Sequence, residues 1–82
     1  MLTIYGSRMC PDCVKCLQDL DAADVYYQYR DFSESLLYLK LFLSMRDSNP
    51  IFDDVKARGG IGIPCIVEES GAVSLTWEQF CM

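Results

Sequence analysis

The sequence predicts an α/β fold in which helices flank a four-stranded mixed sheet, in the order β-α-β-α-β-β-α. Short runs of β-favouring residues alternate with longer helical patterns, which is typical of β-α-β units with parallel strands. The last two strand-like runs are joined by Ser70-Gly71, a tight-turn signal that predicts an antiparallel hairpin. The 82 residues, 51% of them apolar, are enough for a single domain, residues 1–82, with one modest core.

The first β-α-β unit is predicted within the first 30 residues. Residues 2–5 favour a strand, and a helix is expected to begin at Pro11, because proline suits the first helical position. Residues 25–30 alternate in the manner of a second strand, which a right-handed crossover would place parallel to the first. The apolar positions that recur along the helix, and that we expect in the core, are Val14, Leu17, Leu20 and Ala23.

A second helix is predicted to follow the second strand. Asp31 resembles its N-cap, with Glu34 three residues later as in a capping box, and the helix is expected to run to about Asp47. This helix is apolar on most of its circumference, so we expect it to be a buried layer against the sheet. The stripe expected in the core consists of Leu36, Leu39 and Leu43.

Short elements complete the predicted fold. Pro50 is expected to begin a short helix that Gly59-Gly60 closes. Residues 63–68 and 72–75 are the predicted strands of the hairpin. Thr76 is the expected cap of a final helical turn that ends at Phe80.

Composition and charge exclude several classes of function. The net charge of −5 argues against nucleic acid and anionic membranes as partners, since phosphate neutralisation requires clustered Lys and Arg. The longest apolar stretch is short and broken by Lys40, and the N-terminus lacks the pattern of a signal peptide, so we expect a cytoplasmic protein. The absence of histidine excludes Cys-His proteases, Ser-His-Asp hydrolases and metal sites that use histidine.

The residues that carry chemistry are expected to be Cys10 and Cys13, a C-x-x-C pair at the junction between the first strand and the first helix. A helix N-terminus presents unpaired N–H groups and a partial positive charge, which favour a thiolate at the cap. Arg8 is a second group that would favour the thiolate, whereas Asp12 would oppose it. Cys10 is therefore predicted to attack a disulfide, and Cys13, one turn deeper, to resolve the mixed disulfide.

Two segments of the sequence resemble those of glutaredoxins. The segment from Ile4 to Cys13, with Cys-Pro-Asp-Cys at its end, resembles their first strand and Cys-Pro-Tyr-Cys motif. Gly62-Ile63-Pro64, about fifty residues later, resembles their Thr-Val-Pro segment. The resemblance implies a thioredoxin-like fold of glutaredoxin type and thiol-disulfide oxidoreductase activity. It also implies a cis Pro64 that faces the active-site sulfurs and an Ile63 backbone that pairs with the bound thiol.

The resemblance further implies the partners. These are protein disulfides or glutathione, with glutathione as one reductant, no tightly bound cofactor and a monomeric protein. The residues implied to bind the substrate are Arg8, Pro11, Ile63 and Pro64. Arg8 or Arg58 would bind the glycine carboxylate of glutathione, and Thr76 or Glu78 would supply polar contacts.

Two other functions stay open at this point. Cys16 extends the motif to C-x-x-C-x-x-C, and we expect Cys65 to lie close to Cys10, so the alternative is that four thiolates converge on zinc or an iron–sulfur cluster. Helical geometry opposes this, because Cys10 and Cys16 project about 240° apart around the helix. Cys16 is therefore expected to be a buried core residue, with no metal site predicted. The other alternative is a thioredoxin-like module that binds partners without turnover.

Overall fold

The computed structural model describes residues 1–82 and has four strands in one sheet. The strands are β1 (Leu2–Gly6), β2 (Tyr27–Asp31), β3 (Cys65–Val67) and β4 (Val73–Ser74), and the helices are α1 (Pro11–Ala22), α2 (Leu36–Ser48) and α3 (Asp53–Ala57), with 3₁₀ turns at Pro50–Phe52 and Glu78–Phe80. The strand order in the sheet is β2-β1-β3-β4. β1 is parallel to β2 and antiparallel to β3, which is antiparallel to β4. The predicted α/β fold with a four-stranded mixed sheet is confirmed.

Strand β1 lies inside the sheet and contributes side chains to both of its faces, because successive residues of a strand point in opposite directions. Ile4 belongs to the core cluster on the α1 side, and Tyr5 belongs to the cluster on the α2 side. The buried members of the first cluster are Ile4, Cys16, Leu17, Leu20 and Ile66. Those of the second cluster are Tyr5, Phe42, Phe52 and Cys65. The sheet therefore separates two small cores.

Helix α1 begins where the sequence predicts, with Pro11 as its first residue. Its buried residues differ from the predicted stripe: they are Cys13, Cys16, Leu17 and Leu20, whereas Val14 and Ala23 are only partly buried. A strict three-residue repeat drifts around a helix of 3.6 residues per turn, whereas the observed spacing of three, one and three residues stays on one face. The register of the helix consequently turns both Cys13 and Cys16 inward.

The predicted start of helix α2 is wrong. Asp31 is the last residue of β2, and the N-cap is Ser35, whose hydroxyl accepts a hydrogen bond from the Leu37 N–H at 3.2 Å. The chain needs the intervening turn to cross from the end of β2 to the other face of the sheet. Asp31 supports that turn with its side chain and does not begin the helix.

Helix α2 is also less buried than predicted. Phe42 is its only fully buried residue, and its ring packs against those of Tyr5, Phe32 and Phe52, at centroid distances of 6.5, 5.2 and 5.7 Å. In contrast to the prediction, Leu36 and Leu43 are 75% and 40% exposed. A small domain has too little interior to surround a helix on every side.

The segment after α2 leads to the hairpin through tight turns. The glycine pair follows α3 as predicted, with Gly59 at φ +77°. The third strand is shorter than predicted, because it begins after Pro64, which has no N–H to donate to a sheet. The predicted Thr76 cap is wrong: the final turn has no side-chain cap, and the Thr76 hydroxyl donates to Gln79 Oε1 at 3.0 Å. None of the helices combines the length and apolar character needed to cross a bilayer.

Candidate active site

Cys10 is the N-cap of helix α1, as the sequence predicts. Its backbone is extended, at φ −94° and ψ 118°, and its Sγ accepts a hydrogen bond from the Cys13 backbone N–H at 3.4 Å. The Cys10 N–H donates to the Ser7 carbonyl oxygen at 3.0 Å, which fixes the turn before the helix. Cys10 is half-buried and lines a surface groove, and its sulfur lies at the N-terminus of the helix, where backbone N–H groups are free.

Cys13 lies one turn further along the helix and is fully buried. Burial is the main cause that raises the pKa of its thiol to about 12; the backbone of Ser7 acts in the opposite direction, and the neighbouring Cys10 adds to the rise. Cys13 is therefore a protonated thiol at neutral pH. The two cysteines of one motif have different environments, one at the exposed tip of the helix and the other beneath it.

Gly6, at the end of β1, makes room for the Cys13 sulfur. A Cβ added to Gly6 would lie 2.7 Å from Cys13 Sγ and 3.3 Å from the Tyr29 hydroxyl oxygen. Separations below 3.0 Å are not tolerated by real side chains, so only glycine permits this approach of α1 to β1. The close contact sets the depth at which the second cysteine lies.

Ile63 and Cys10 line the same groove on the surface. The groove has a volume of about 630 Å³, and its lining also includes Asp12, Arg58, Leu75 and Thr76. The peptide bond between Ile63 and Pro64 is cis, so this prediction is confirmed. Ile63 is half-buried and Pro64 is buried, which leaves Ile63 as the residue of this pair that faces the groove.

Arg46 holds the chain that leads into this groove. Its Nε donates to the Ile61 carbonyl oxygen at 2.7 Å, and its Nη2 donates to the Gly60 carbonyl oxygen at 2.8 Å. Because both bonds come from one planar guanidinium, they fix the direction of the backbone ahead of Ile63. Helix α2 thus positions one wall of the groove.

The other residues considered for substrate binding occupy different places. Arg8 is exposed and lies outside the groove; its guanidinium stacks on the Tyr29 ring at 5.2 Å, and its Nε is 3.8 Å from Asp31 Oδ2. Pro11 is exposed at the start of α1. Arg58 and Thr76 line the groove, and Arg58 also forms an ion pair with Asp54 at 3.0 Å. Glu78 lines a separate cavity beside the C-terminal half of α1.

The five sulfurs do not converge on one point. Cys16 is buried in the core cluster on the α1 side of the sheet, as expected, and Cys65 is buried in the cluster on the α2 side. Cys16 and Cys65 therefore lie in separate clusters on opposite sides of the sheet, and the four thiols do not form one group. Burial raises the pKa of both thiols to about 12. No group of three or more His, Cys, Asp or Glu side chains is placed to hold a metal ion.

Comparison with known proteins identifies a relative. An uncharacterized protein of Haemophilus influenzae is 36% identical to this chain over 72 residues, which cover 88% of this chain and 84% of the relative. The two proteins belong to one family. The shared region spans most of both chains, so the relationship concerns the whole domain. No family model and no solved structure matches the chain.

Asp31 is a site residue that sequence reasoning placed incorrectly. Its buried carboxylate accepts hydrogen bonds from the Ser33 N–H at 2.8 Å, the Ser33 hydroxyl at 2.6 Å and the Arg8 N–H at 3.3 Å. Burial alone would raise the pKa of this carboxyl, but the hydrogen bonds from Ser33 and Arg8 outweigh it and hold the pKa below its usual range. This carboxylate ties the loop before Cys10 to the end of β2.

Gly6 and Tyr29 were not singled out from the sequence at all. Both contact the space around the Cys13 sulfur, although Tyr29 lies on β2, 16 positions away from that cysteine along the chain. The one usable signal is the parallel pairing of β1 with β2, which brings Ile4 opposite Tyr29 and so places Tyr29 beside the start of α1.

Proposed function

We propose that this protein is a thiol-disulfide oxidoreductase of thioredoxin-like fold, related to the glutaredoxins, with Cys10 as nucleophile and Cys13 as resolving cysteine. The observation that carries the proposal is the unequal environment of the two sulfurs. Cys10 is half-buried at a surface groove and its Sγ accepts a hydrogen bond from a backbone N–H at 3.4 Å, whereas Cys13 is buried and the pKa of its thiol is raised to about 12. A dithiol enzyme needs this difference, because one thiol must attack the substrate and the other must stay protonated until the mixed disulfide has formed.

The groove supports a disulfide as the substrate. An extended segment that lies along the Ile63 backbone would bring its sulfur to Cys10, because both line the same cavity. Backbone pairing of this kind provides affinity without requiring a particular side chain. The arrangement therefore suits cysteinyl backbones in general, either of a protein or of a small peptide.

The reaction then takes place in two exchanges. The Cys10 thiolate attacks one sulfur of the substrate disulfide, forming a mixed disulfide, and the other sulfur leaves as a thiolate that takes up a proton. Cys13 loses its proton to solvent and attacks Cys10 Sγ, and the second substrate thiolate leaves. The substrate gains two electrons, and the protein keeps a Cys10–Cys13 disulfide. Two molecules of a thiol, or a reductase, return the protein to the dithiol form.

The source of these electrons is either glutathione or a protein reductase. Arg58 and Thr76 line the groove and offer a cation and a hydroxyl to the carboxylates of glutathione. Arg58 also forms an ion pair with Asp54, and Asp12 adds a negative charge to the same groove. Both carboxylates weaken the attraction of the groove for an anionic tripeptide. Rates of reduction with NADPH and glutathione reductase plus glutathione, and with NADPH and thioredoxin reductase, distinguish the two donors.

The proposal is tested by replacing each sulfur in turn. Cys10→Ser is expected to abolish reduction of the disulfide of β-hydroxyethyl thiol, because the attacking atom is lost. Cys13→Ser is expected to retain the first exchange and to accumulate a mixed disulfide that is visible by mass spectrometry. Cys81→Ser, which alters a half-buried thiol away from the motif, is the matched control and should keep its activity. Full activity of Cys10→Ser would refute the proposed function.

A further inference from the structure

The hydroxyl of Tyr29 is buried and has no hydrogen-bond partner. An unpartnered buried hydroxyl is costly, because it gives up its bonds to water without replacing them. The position of the Tyr29 hydroxyl relates it to the Cys13 sulfur. The point at which a Gly6 Cβ would stand is 2.7 Å from Cys13 Sγ and 3.3 Å from this hydroxyl oxygen, so the two atoms border the same small space. The free donor thus lies near the resolving sulfur.

The surroundings keep this hydroxyl protonated. Burial is the main cause that raises the pKa of Tyr29, and the neighbouring acidic groups raise it further, whereas Arg8 lowers it. A phenol that stays neutral is a hydrogen-bond donor throughout the pH range in which the protein works. The titratable or charged groups around the Tyr29 hydroxyl and the Cys13 thiol are Cys10, Cys16, Asp31 and Arg8.

We propose that Tyr29 donates a hydrogen bond from its hydroxyl to the Cys13 thiolate as that thiolate forms in the resolving exchange. This inference rests on the proposed function and names a residue that acts on one of its reacting atoms. In the thiol form the hydroxyl has no partner, and the negative charge on Cys13 supplies the acceptor that it lacks. Hydrogen bonds to charged groups are stronger than those between neutral groups.

The backbone of Ser7 also lowers the pKa of the Cys13 thiol, but no other side chain beside the sulfur offers a free donor. Asp31 carries a negative charge, and its carboxylate is already engaged by Ser33 and by the Arg8 backbone. Arg8 covers the outer side of the Tyr29 ring and is exposed. Cys13 must therefore give its proton to solvent, and the cost of the buried negative charge is reduced only by donors that face the sulfur.

The test separates the two exchanges with an aromatic disulfide, 5,5′-dithiobis(2-nitrobenzoate), in the Cys81→Ser background. Attack by Cys10 releases one nitrothiobenzoate, and attack by Cys13 on the mixed disulfide releases the second, so stopped-flow absorbance follows both steps. Tyr29→Phe is expected to slow the second release about tenfold, which corresponds to about 1.4 kcal/mol, and to leave the first release unchanged.

The pH profile provides a readout that a merely structural role would not change. At pH values below the pKa of Cys13, the rate of the second release should rise tenfold per pH unit. The Tyr29→Phe protein should reach a given rate at a pH about one unit higher than the parent does. Tyr27→Phe is the matched control, because it removes a hydroxyl from the same strand that bonds Asp21 at 2.8 Å and not a sulfur. It should leave both releases and the pH profile as in the parent.

The melting temperature completes the test. Because the Tyr29 hydroxyl has no partner in the thiol form, Tyr29→Phe should not lower the melting temperature of the reduced protein. Equal second-phase rates and pH profiles in Tyr29→Phe and Tyr27→Phe would overturn the inference, as would equal slowing of both releases together with a lower melting temperature. If the parent releases only one nitrothiobenzoate, the proposed function itself fails.

Discussion

Replacing Gly6 with alanine tests the packing that sets the two cysteines at different depths. The new methyl group would lie 2.7 Å from Cys13 Sγ, so α1 must move away from β1 or the thiol must rotate. Overpacking of a buried site typically costs about 1–3 kcal/mol, and we expect Gly6→Ala to lower the free energy of unfolding of the reduced protein by about 1–2 kcal/mol. Gly6 does not have a positive φ, so backbone strain adds nothing to this cost.

A double-mutant cycle with Cys13→Ala isolates the contact. Removing the sulfur leaves only the Cys13 Cβ, at 3.4 Å, near the added methyl group, so the cost of Gly6→Ala should fall by about 1 kcal/mol in that background. Urea unfolding of the four proteins under reducing conditions measures both values. Additive effects of the two substitutions would refute the argument that the sulfur needs the glycine. The nearby Tyr29 hydroxyl, at 3.3 Å, explains any cost that remains.

Two further predictions concern the residues that hold the site in place. The carboxyl of Asp31 has a lowered pKa, so its contribution to stability is present above the pKa of the unfolded chain and is lost as the pH falls through the lower folded value. The difference in urea stability between the parent and Asp31→Asn should therefore be largest near neutral pH and should shrink below about pH 4, whereas a constant difference would contradict this. Arg46→Ala removes both bonds to the backbone before Ile63 and should raise KM for a disulfide substrate more than it lowers kcat. Lys56→Ala, which loses only a marginal ion pair at 4.0 Å, is its control, and equal KM values would contradict the positioning role.

The start of α1 could be predicted because its signals are local. Pro11 fixes the backbone of the first turn, and the residue before it takes the extended conformation required of a cap. The places of Cys10 at the cap and of Cys13 one turn later then follow from spacing, whereas the burial of Cys16 was expected because free cysteine is commonly buried. The start of the helix depends on no residue distant in the chain, which is why it is confirmed.

Asp31 and the leucines of α2 could not be placed in this way. The Asp31-to-Glu34 spacing fits a capping box, but the carboxylate is engaged by the Arg8 N–H, 23 residues earlier, and local patterns carry no information about such a partner. The leucines show that α2 is apolar, but they do not show how many of its sides are covered by other parts of the protein. With Leu36 75% exposed and Phe42 fully buried, only one side of this helix faces the sheet.

Under the proposed function, the spacing of the two cysteines also bears on the order in which they would react. In the dithiol form, the nearness of Cys10 adds to the effect of burial on the Cys13 thiol, both through its side-chain hydrogen bond and through its charge. Once Cys10 is part of a mixed disulfide, it no longer carries that charge, so both contributions disappear while burial remains. Loss of the Cys13 proton thus becomes easier only after Cys10 has reacted, and a donor such as the Tyr29 hydroxyl then has a sulfur to stabilise. Under the proposed function, the mixed disulfide formed in the first exchange is the substrate of the second, and its formation also favours loss of the Cys13 proton.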